Sequence, residues 1–375
     1  MATLPSYFDQ FIRDIRMTQN QVQGCIDGHS TLRSRLKNYE DLNSIIVDTF
    51  LQGSYRRATA TRPLGDARSD VDVIVVTKMD REDVSPSEAL DAFIPFLEKY
   101  YKDKYERQGR SWGIKLTYVE LDLVPTSATS EAEEDILKSA SVLTERDIVT
   151  ASQDGWRPTL TWLPSEQRPG SSSLWFEKNA RAEEWKSEPL WIPDRDADDW
   201  EETDPLTQIV VTQEKNAACK GHFVNVIKAV KWWRKAMQPE PKYPKGYPLE
   251  QMAWVNCQDG IDSIAAGVVS TFERIRDEYA DYAATKTTPF IGDHGVPTHN
   301  VLERVSGSDF AAFHALVSDA ASQAREALDE DDVCESAEKW RLLFGNKFPQ
   351  CPANTKKGGY TPRKEPSIVP GGRFA

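Results

Sequence analysis

Two short segments, SDVDVIVV at 69–76 and VELDLV at 119–124, constrain this chain more than anything else in it. In an extended strand successive side chains leave opposite faces, so residues two apart share a face. Asp70 and Asp72 therefore leave one face of the first segment, while Val71, Val73 and Val75 leave the other. The second segment has the same parity, with Val119, Leu121 and Leu123 forming an apolar face and Glu120 and Asp122 opposite. Each strand must bury one face and can leave carboxylates on the other. Side by side, the two would aim Asp70, Asp72 and Asp122 at one point.

Such a cluster repels itself unless cations neutralise it, and Mg²⁺, with its preference for carboxylate and phosphate oxygens, suits it. Two ions roughly 3.5–4 Å apart activate an attacking hydroxyl and stabilise the leaving oxygen of an in-line displacement. A DxD pair alone is usually a solvated strand face or a turn. Here LQGSYRRATA precedes it. Gly53 and Ser54 at the entrance to a helix would offer backbone N–H groups, a hydroxyl and a positive helix end to the β- and γ-phosphates of a nucleotide. Gly-Ser, then DxD, then a third Asp in a strand about fifty residues on form an order that chance seldom makes.

Around these segments the chain divides by composition. Apolar residues recur at helical spacing from Tyr7 to about Thr49, as in Phe8, Phe11, Ile12 and Ile15, then Leu32, Leu36 and Leu42, which predicts two amphipathic helices. Strand-like runs at 71–77 and 114–124 flank a helix-like stretch at 89–101. Between about 165 and 204 the acidic, Pro- and Trp-rich EEWKSEPLWIPDRDADDWEETDP predicts a wrapped connector, because Trp185, Trp191 and Trp200 need something to bury against. Helical periodicity dominates from Leu206 to about Phe348, broken at KYPKGYP and TTPFIGDHGVPTHN. The Pro-, Gly- and Lys/Arg-rich end, PANTKKGGYTPRKEPSIVPGGRFA, predicts a flexible tail. The expected class is α+β, with helices and a mixed lobe over 1–205, a helical lobe over 206–350 and the tail over 351–375.

In GHFVNVIKAVKWWRKAM, Lys228, Lys231 and Lys235 fall on one helix face, opposite a core stripe of Phe223, Ile227 and Val230. An isolated helix of this kind has a solvated basic face; beside the carboxylate set, Lys231 is the expected phosphate contact. Trp232 and Trp233 could stack a base, but packing is the expectation, with one of them facing the core. Cys219-x₂-His222 and His294-x₄-His299 supply zinc-ligand types at a spacing too loose to indicate zinc. Five widely spread cysteines without a CxxC pair predict free thiols in a reducing compartment. No run of eighteen apolar residues and no signal-peptide order at the start predict a cytoplasmic protein without a membrane partner. A formal net charge of -13 argues against a stable nucleic-acid partner and requires an anionic substrate to find a local basic pocket.

These residues together resemble a known family, the CD-NTases, bacterial relatives of the animal DNA sensor cGAS that start CBASS anti-phage signalling. The resemblance covers most of the chain and is closest to clade D, in FLQGSYRRATATRPLGDARSDVDVIVVT, FIPFLEKYY, YVELDLV, VKWWR, KYPKGYPLE, SDF and the terminal GRFA. It implies a polymerase-β-like nucleotidyltransferase lobe with a mixed sheet, a helical C-terminal lobe, and a cyclic trinucleotide made from ATP, typically cyclic tri-adenylate, with two Mg²⁺ ions or Mn²⁺. By position it implies nucleotide contacts at Gln52, Gly53, Ser54, Lys231 and Tyr247, and metal binding and catalysis at Asp70, Asp72 and Asp122. Several relatives carry a Ser before an aromatic in the phosphate pocket, where this chain reads Lys245, Gly246, Tyr247. The resemblance further implies a downstream effector reached through the cyclic nucleotide. It also implies a ubiquitin-activating or ubiquitin-conjugating-like bacterial enzyme acting on the C-terminal carboxylate, here Ala375. The same motif would serve a nucleotidyltransferase acting on RNA or protein. A catalytically silent scaffold is the further alternative, although such a protein would be expected to lose one of the three aspartates.

Overall fold

A computed structural model describes residues 2–127 and 190–352. Trp185, most of the expected connector, and the tail from 353 with its terminal Ala375 lie outside the described residues.

The first helix, α1 (Pro5–Ile15), opens on a proline whose fixed φ suits a helix start, and it buries Phe8, Phe11, Ile12 and Ile15. Helix α2 (Gln19–Lys37) begins with a reciprocal cap: Thr18 N donates to Gln21 Oε1, and Gln21 N donates to the Thr18 hydroxyl. Short α3 (Glu40–Asn43) leads into the sheet. The two long helices go to different places. α2 lays Cys25, Leu32 and Leu36 on the sheet beside Val71, Val73 and Leu121, whereas α1 is buried among the C-terminal helices with Trp340, Phe344 and Phe348. Chain order and packing order thus differ at the N-terminus.

The sheet comprises β1 (Ile46–Gln52), β2 (Ser69–Thr77), β3 (Tyr105–Arg107), β4 (Trp112–Lys115), β5 (Val119–Ser127), β6 (Leu190–Asp194) and β7 (Asp199–Thr203). Its order is β1-β2-β5-β4-β3, and β6 and β7 continue from the end of β5. It is mixed, since β2 and β5 run parallel while the other pairs are antiparallel. Val71, Val73 and Val75 face the helices α2, α5 (Pro86–Asp91) and α6 (Ile94–Tyr101). On the opposite face Ile74 and Val76 cluster with Phe50 of the neighbouring β1 and Leu190 of β6, while Asp70 and Asp72, toward the start of β2, line a cleft.

Three expectations are corrected here. The strand-like run at 114–124 is a hairpin, β4 and β5, turning at 116–118, where Leu116 N donates to Val119 O at 2.9 Å; the turn lacks Gly, Pro or Asn and left no local signal. The helix expected at 89–101 is two helices, α5 and α6, the second opening on Pro95. The part of the connector that is described is a strand hairpin, and Trp200 is buried there with its Nε1 donating to Val84 O at 3.0 Å.

The helical lobe contains α7 (Pro205–Ala218), α8 (Phe223–Trp232) extended by a π turn (Trp233–Met237), α9 (Tyr247–Asn256), α10 (Ile264–Glu278), α11 (Ala280–Thr285), α12 (Gly307–Asp329) and α13 (Val333–Phe344). Phe223, Ile227 and Val230 are core residues as expected, but so are both Trp232 and Trp233, rather than one of the two. Cys334 and Cys351 form a disulfide, against the expectation of free thiols; the segment after α13 folds back over that helix and brings the pair together. Cys25, Cys219 and Cys257 are free and buried. No helix among the described residues is long and apolar enough to cross a membrane.

Candidate active site

Parallel pairing of β2 with β5 sets Asp72 beside Asp122 and Asp70 beside Glu120. Strand parity then turns Asp70, Asp72 and Asp122 to one face, where oxygens from the three carboxylates lie within 4.8 Å of one another. Among the described residues this is the one cluster of His, Cys, Asp or Glu with the spacing of a metal site, and neither Cys219 with His222 nor His294 with His299 forms part of one.

The turn between β1 and the carboxylates needs glycine for two reasons. Gly53 has φ 74°, and a Cβ there would lie 1.7 Å from Asp72 Oδ2. Ser54 follows, its carbonyl accepting from Thr59 N at 2.9 Å and Ala60 N at 3.0 Å. The helix it opens, α4 (Gly53–Arg56), has only four residues, so the strong positive helix end expected from sequence is absent; peptide dipoles need several turns to add. What the turn offers an anion is its backbone N–H groups and the Ser54 hydroxyl.

From the helical side Lys231 reaches the same place, held by Glu250 of α9. Lys231 Nζ donates to Glu250 Oε1 at 2.6 Å. Arg57 Nη2 donates to Glu250 Oε2 at 3.2 Å, and the Thr59 hydroxyl donates to the same oxygen at 2.9 Å. Only 4% of Glu250 is exposed, so this carboxylate is a buried junction between the lobes. The Arg57 guanidinium lies 5.0 Å from the Tyr247 ring centroid. Gln52 Nε2 and Arg57 Nη1 both approach Gln208 Oε1 at 3.5 Å, and Gln208 Nε2 donates to Asp293 Oδ2 at 3.1 Å.

Arg57, Gln208, Glu250 and Asp293 line a cleft of about 840 Å³ that also takes in Gln52, Gly53, Ser54, Lys231 and Tyr247 together with Asp70 and Asp72. All the positions expected to touch a nucleotide thus share one cavity, with Asp122 joined to it through the carboxylate cluster. Carboxylates outnumber cations on its walls. Loss of surrounding water, then the charges of Asp72, Asp122 and Glu120, push the Asp70 carboxyl up to about 8, even though the residue as a whole is exposed. Burial, then Asp72, pushes Asp122 up to about 7. Burial also raises Asp72, with Arg57 opposing. Burial would raise Glu250 as well, but Lys231 and Arg57 outweigh it and hold the carboxyl below its usual range.

The set fits divalent cations. Three clustered carboxylates are costly by themselves, and Asp122 Oδ1 is buried with no hydrogen-bond partner, an oxygen left free for a ligand of another kind. Glu250, Arg57, Thr59, Gln208 and Asp293 were not singled out from sequence. Glu250 lies inside the KYPKGYPLE stretch that carries the resemblance, but its partner Arg57 is 193 residues away and no spacing rule connects them.

The model of the Second Messenger Oligonucleotide or Dinucleotide Synthetase domain matches residues 1–140. The chain is 45% identical over 381 residues, 99% of its own length and 100% of the other's, to the Cyclic AMP-AMP-GMP synthase of Enterobacter hormaechei subsp. hoffmannii. It is 29% identical, over 93% of its length and 86% of the other's, to the Cyclic AMP-AMP-AMP synthase of an Acinetobacter species. In fold it resembles the CD-NTase CdnG of Bradyrhizobium diazoefficiens in complex with GTP, with a TM-score of 0.63, 12% identity and coverage of 91% of this chain and 94% of that one. E. coli CdnC with ATP gives a TM-score of 0.61 at 15% identity, covering 93% and 100%.

Proposed function

We propose that this chain, which belongs to the CD-NTase family of CBASS anti-phage signalling, joins ATP and GTP into a cyclic trinucleotide of two adenylates and one guanylate. The family membership makes it a cyclic oligonucleotide synthase. The guanylate is supported by the 45% likeness over the full length of a cyclic AMP-AMP-GMP synthase. Cyclic tri-adenylate, the product the sequence resemblance implied, is the second reading and rests on the relative at 29% identity.

The observation that carries the enzymatic reading is the meeting of Asp70, Asp72 and Asp122 with a buried, unpartnered oxygen on Asp122. Two Mg²⁺ ions, or Mn²⁺, held by these aspartates would acidify the attacking hydroxyl and neutralise charge on the leaving phosphate oxygen. Asp122, beside Asp72 in the neighbouring strand, accepts the proton of the acceptor hydroxyl. The hydroxyl oxygen bonds to the α-phosphorus of the donor nucleotide, and the bond to the bridging oxygen of the β-phosphate breaks. Gly53 and Ser54 hold the phosphates from the sheet side and Lys231 from the helical side, while Tyr247, backed by Arg57, and Gln52 wall the nucleotide. Positioning and charge stabilisation account for most of the rate in such chemistry.

The test is incubation of the purified protein with the four NTPs and Mg²⁺, then phosphatase treatment and mass spectrometry. A phosphatase-resistant product with two AMP units and one GMP is expected. A tri-adenylate would favour the second reading, and the absence of any cyclic product would overturn both.

A further inference from the structure

Beside the cleft lies a chamber of about 510 Å³ that meets it at Ser54, Asp70, Lys231, Lys245 and Gly246. Its charge is the reverse of the cleft's. Arg68, Lys231, Arg234, Lys235, Lys242 and Lys245 line it against one carboxylate, Asp70, in a chain whose formal net charge is -13. Some of these cations have structural work, since Lys235 Nζ donates to the Thr61 hydroxyl at 2.8 Å and to Arg62 O at 2.6 Å. Arg234 does not have enough of it. Only 3% exposed, it donates through Nη1 to Gln238 O, while Nε and Nη2 are buried without a hydrogen-bond partner; Glu240 is the acidic group whose charge bears on it. Those two nitrogens are themselves covered, so Arg234 adds a buried positive charge to the chamber wall, and six cations around one carboxylate make the chamber favourable to an anion.

We propose that this chamber binds inorganic diphosphate and is the exit for the group that leaves at each nucleotidyl transfer, apart from the cleft that retains the growing oligonucleotide. The proposal rests on the synthase reading above. Each new bond from a hydroxyl oxygen to an α-phosphorus breaks that phosphorus's bond to the β-phosphate, and the bonding electrons leave with the diphosphate. The linear intermediate must stay in the cleft until the ring closes. A single opening would make the diphosphate pass it; a second opening on the phosphate side removes the conflict.

Arg68 and Lys242 line the chamber but not the cleft, and both are exposed; Arg68 Nε also donates to Leu116 O at 2.6 Å, an exposed hydrogen bond of small worth, so replacing them should leave the fold intact where an Arg234 variant could fail to fold. Calorimetric titration of inorganic diphosphate into the full chain carrying Asp70→Asn and Asp72→Asn measures the chamber without turnover. Binding is expected, weakened about tenfold when Arg68→Ala and Lys242→Ala are added, as two partly screened charge contacts suggest. No binding, or equal binding with and without the pair, would overturn the site. In the otherwise wild-type enzyme the pair should raise the inhibition constant for added diphosphate about tenfold and leave the ATP KM within about twofold. Parallel loss of ATP and diphosphate affinity would make the chamber the seat of the donor's triphosphate and overturn the exit. Should no cyclic product form while diphosphate binding persists and responds to the pair, the synthase reading fails and the anion site stands.

Discussion

The sheet side and the helical side of the cleft hold charge in opposite ways. On the sheet, Asp70, Asp72 and Asp122 crowd together with little to offset them, and their carboxyls are all pushed upward. On the helical side, one buried carboxylate, Glu250, is surrounded by Lys231, Arg57 and Thr59, and its carboxyl is held down. The first arrangement is poorly satisfied alone and waits for cations; the second is satisfied already. Charges that serve a ligand are therefore expected to cost the free protein stability, and charges that join the lobes to supply it.

The sharpest way to break that contrast is Asp70→Asn with Asp72→Asn. Nucleotide polymerisation should fall on the order of 10³-fold or more, since metal-held charge stabilisation is worth several kcal/mol. Thermal unfolding without metal should show the double variant as stable as the wild type or more so, because like charges have been removed. A soluble variant with near-normal turnover would remove the aspartates from the mechanism.

Glu250→Gln should do the reverse. Taking one charge from a buried ionic junction destabilises by roughly 3–5 kcal/mol, which denaturant titration would register. An unchanged midpoint would mean that the lobes are joined by packing alone. Lys231→Ala should lower kcat/KM for ATP by the worth of one charge-assisted phosphate contact, about 1.5–3 kcal/mol, with stability less affected because Arg57 and Thr59 still satisfy Glu250. Unchanged kinetics would place Lys231 with the structural charges.

The smallest effect is in pH. With its folded carboxyl held below the ordinary range, Glu250 contributes stability that is present above the unfolded value of about 4.3 and is lost as pH falls through the lower folded value. The difference in unfolding free energy between wild type and Glu250→Gln should be constant above about pH 5 and shrink as pH falls below the unfolded value. A gap that persists in acid would assign the difference to shape.

The same contrast separates what could be read in the sequence from what could not. Asp70, Asp72 and Asp122 were legible because a strand converts spacing along the chain directly into side-chain direction, and Gly53-Ser54 because the turn is local. Glu250 with Arg57, and Arg234 with its unused donors, depend on helix packing over long separations, to which periodicity is blind. The hairpin turn at 116–118 was hidden for a simpler reason: Leu116, Thr117 and Tyr118 include none of the residues that mark turns.

The parallel register of β2 and β5 has a consequence for how such a protein can vary. Asp72 and Asp122 are neighbours through a hydrogen-bond ladder, and the chain connecting them plays no part in setting their distance. Insertions or deletions in that connection should leave the carboxylates where they are, so the site is indifferent to length. It is intolerant of register. A slip of one residue between the two strands would withdraw Asp122 toward the buried face and present Leu121 or Leu123 to the cleft, replacing a ligand by a hydrocarbon in a single step.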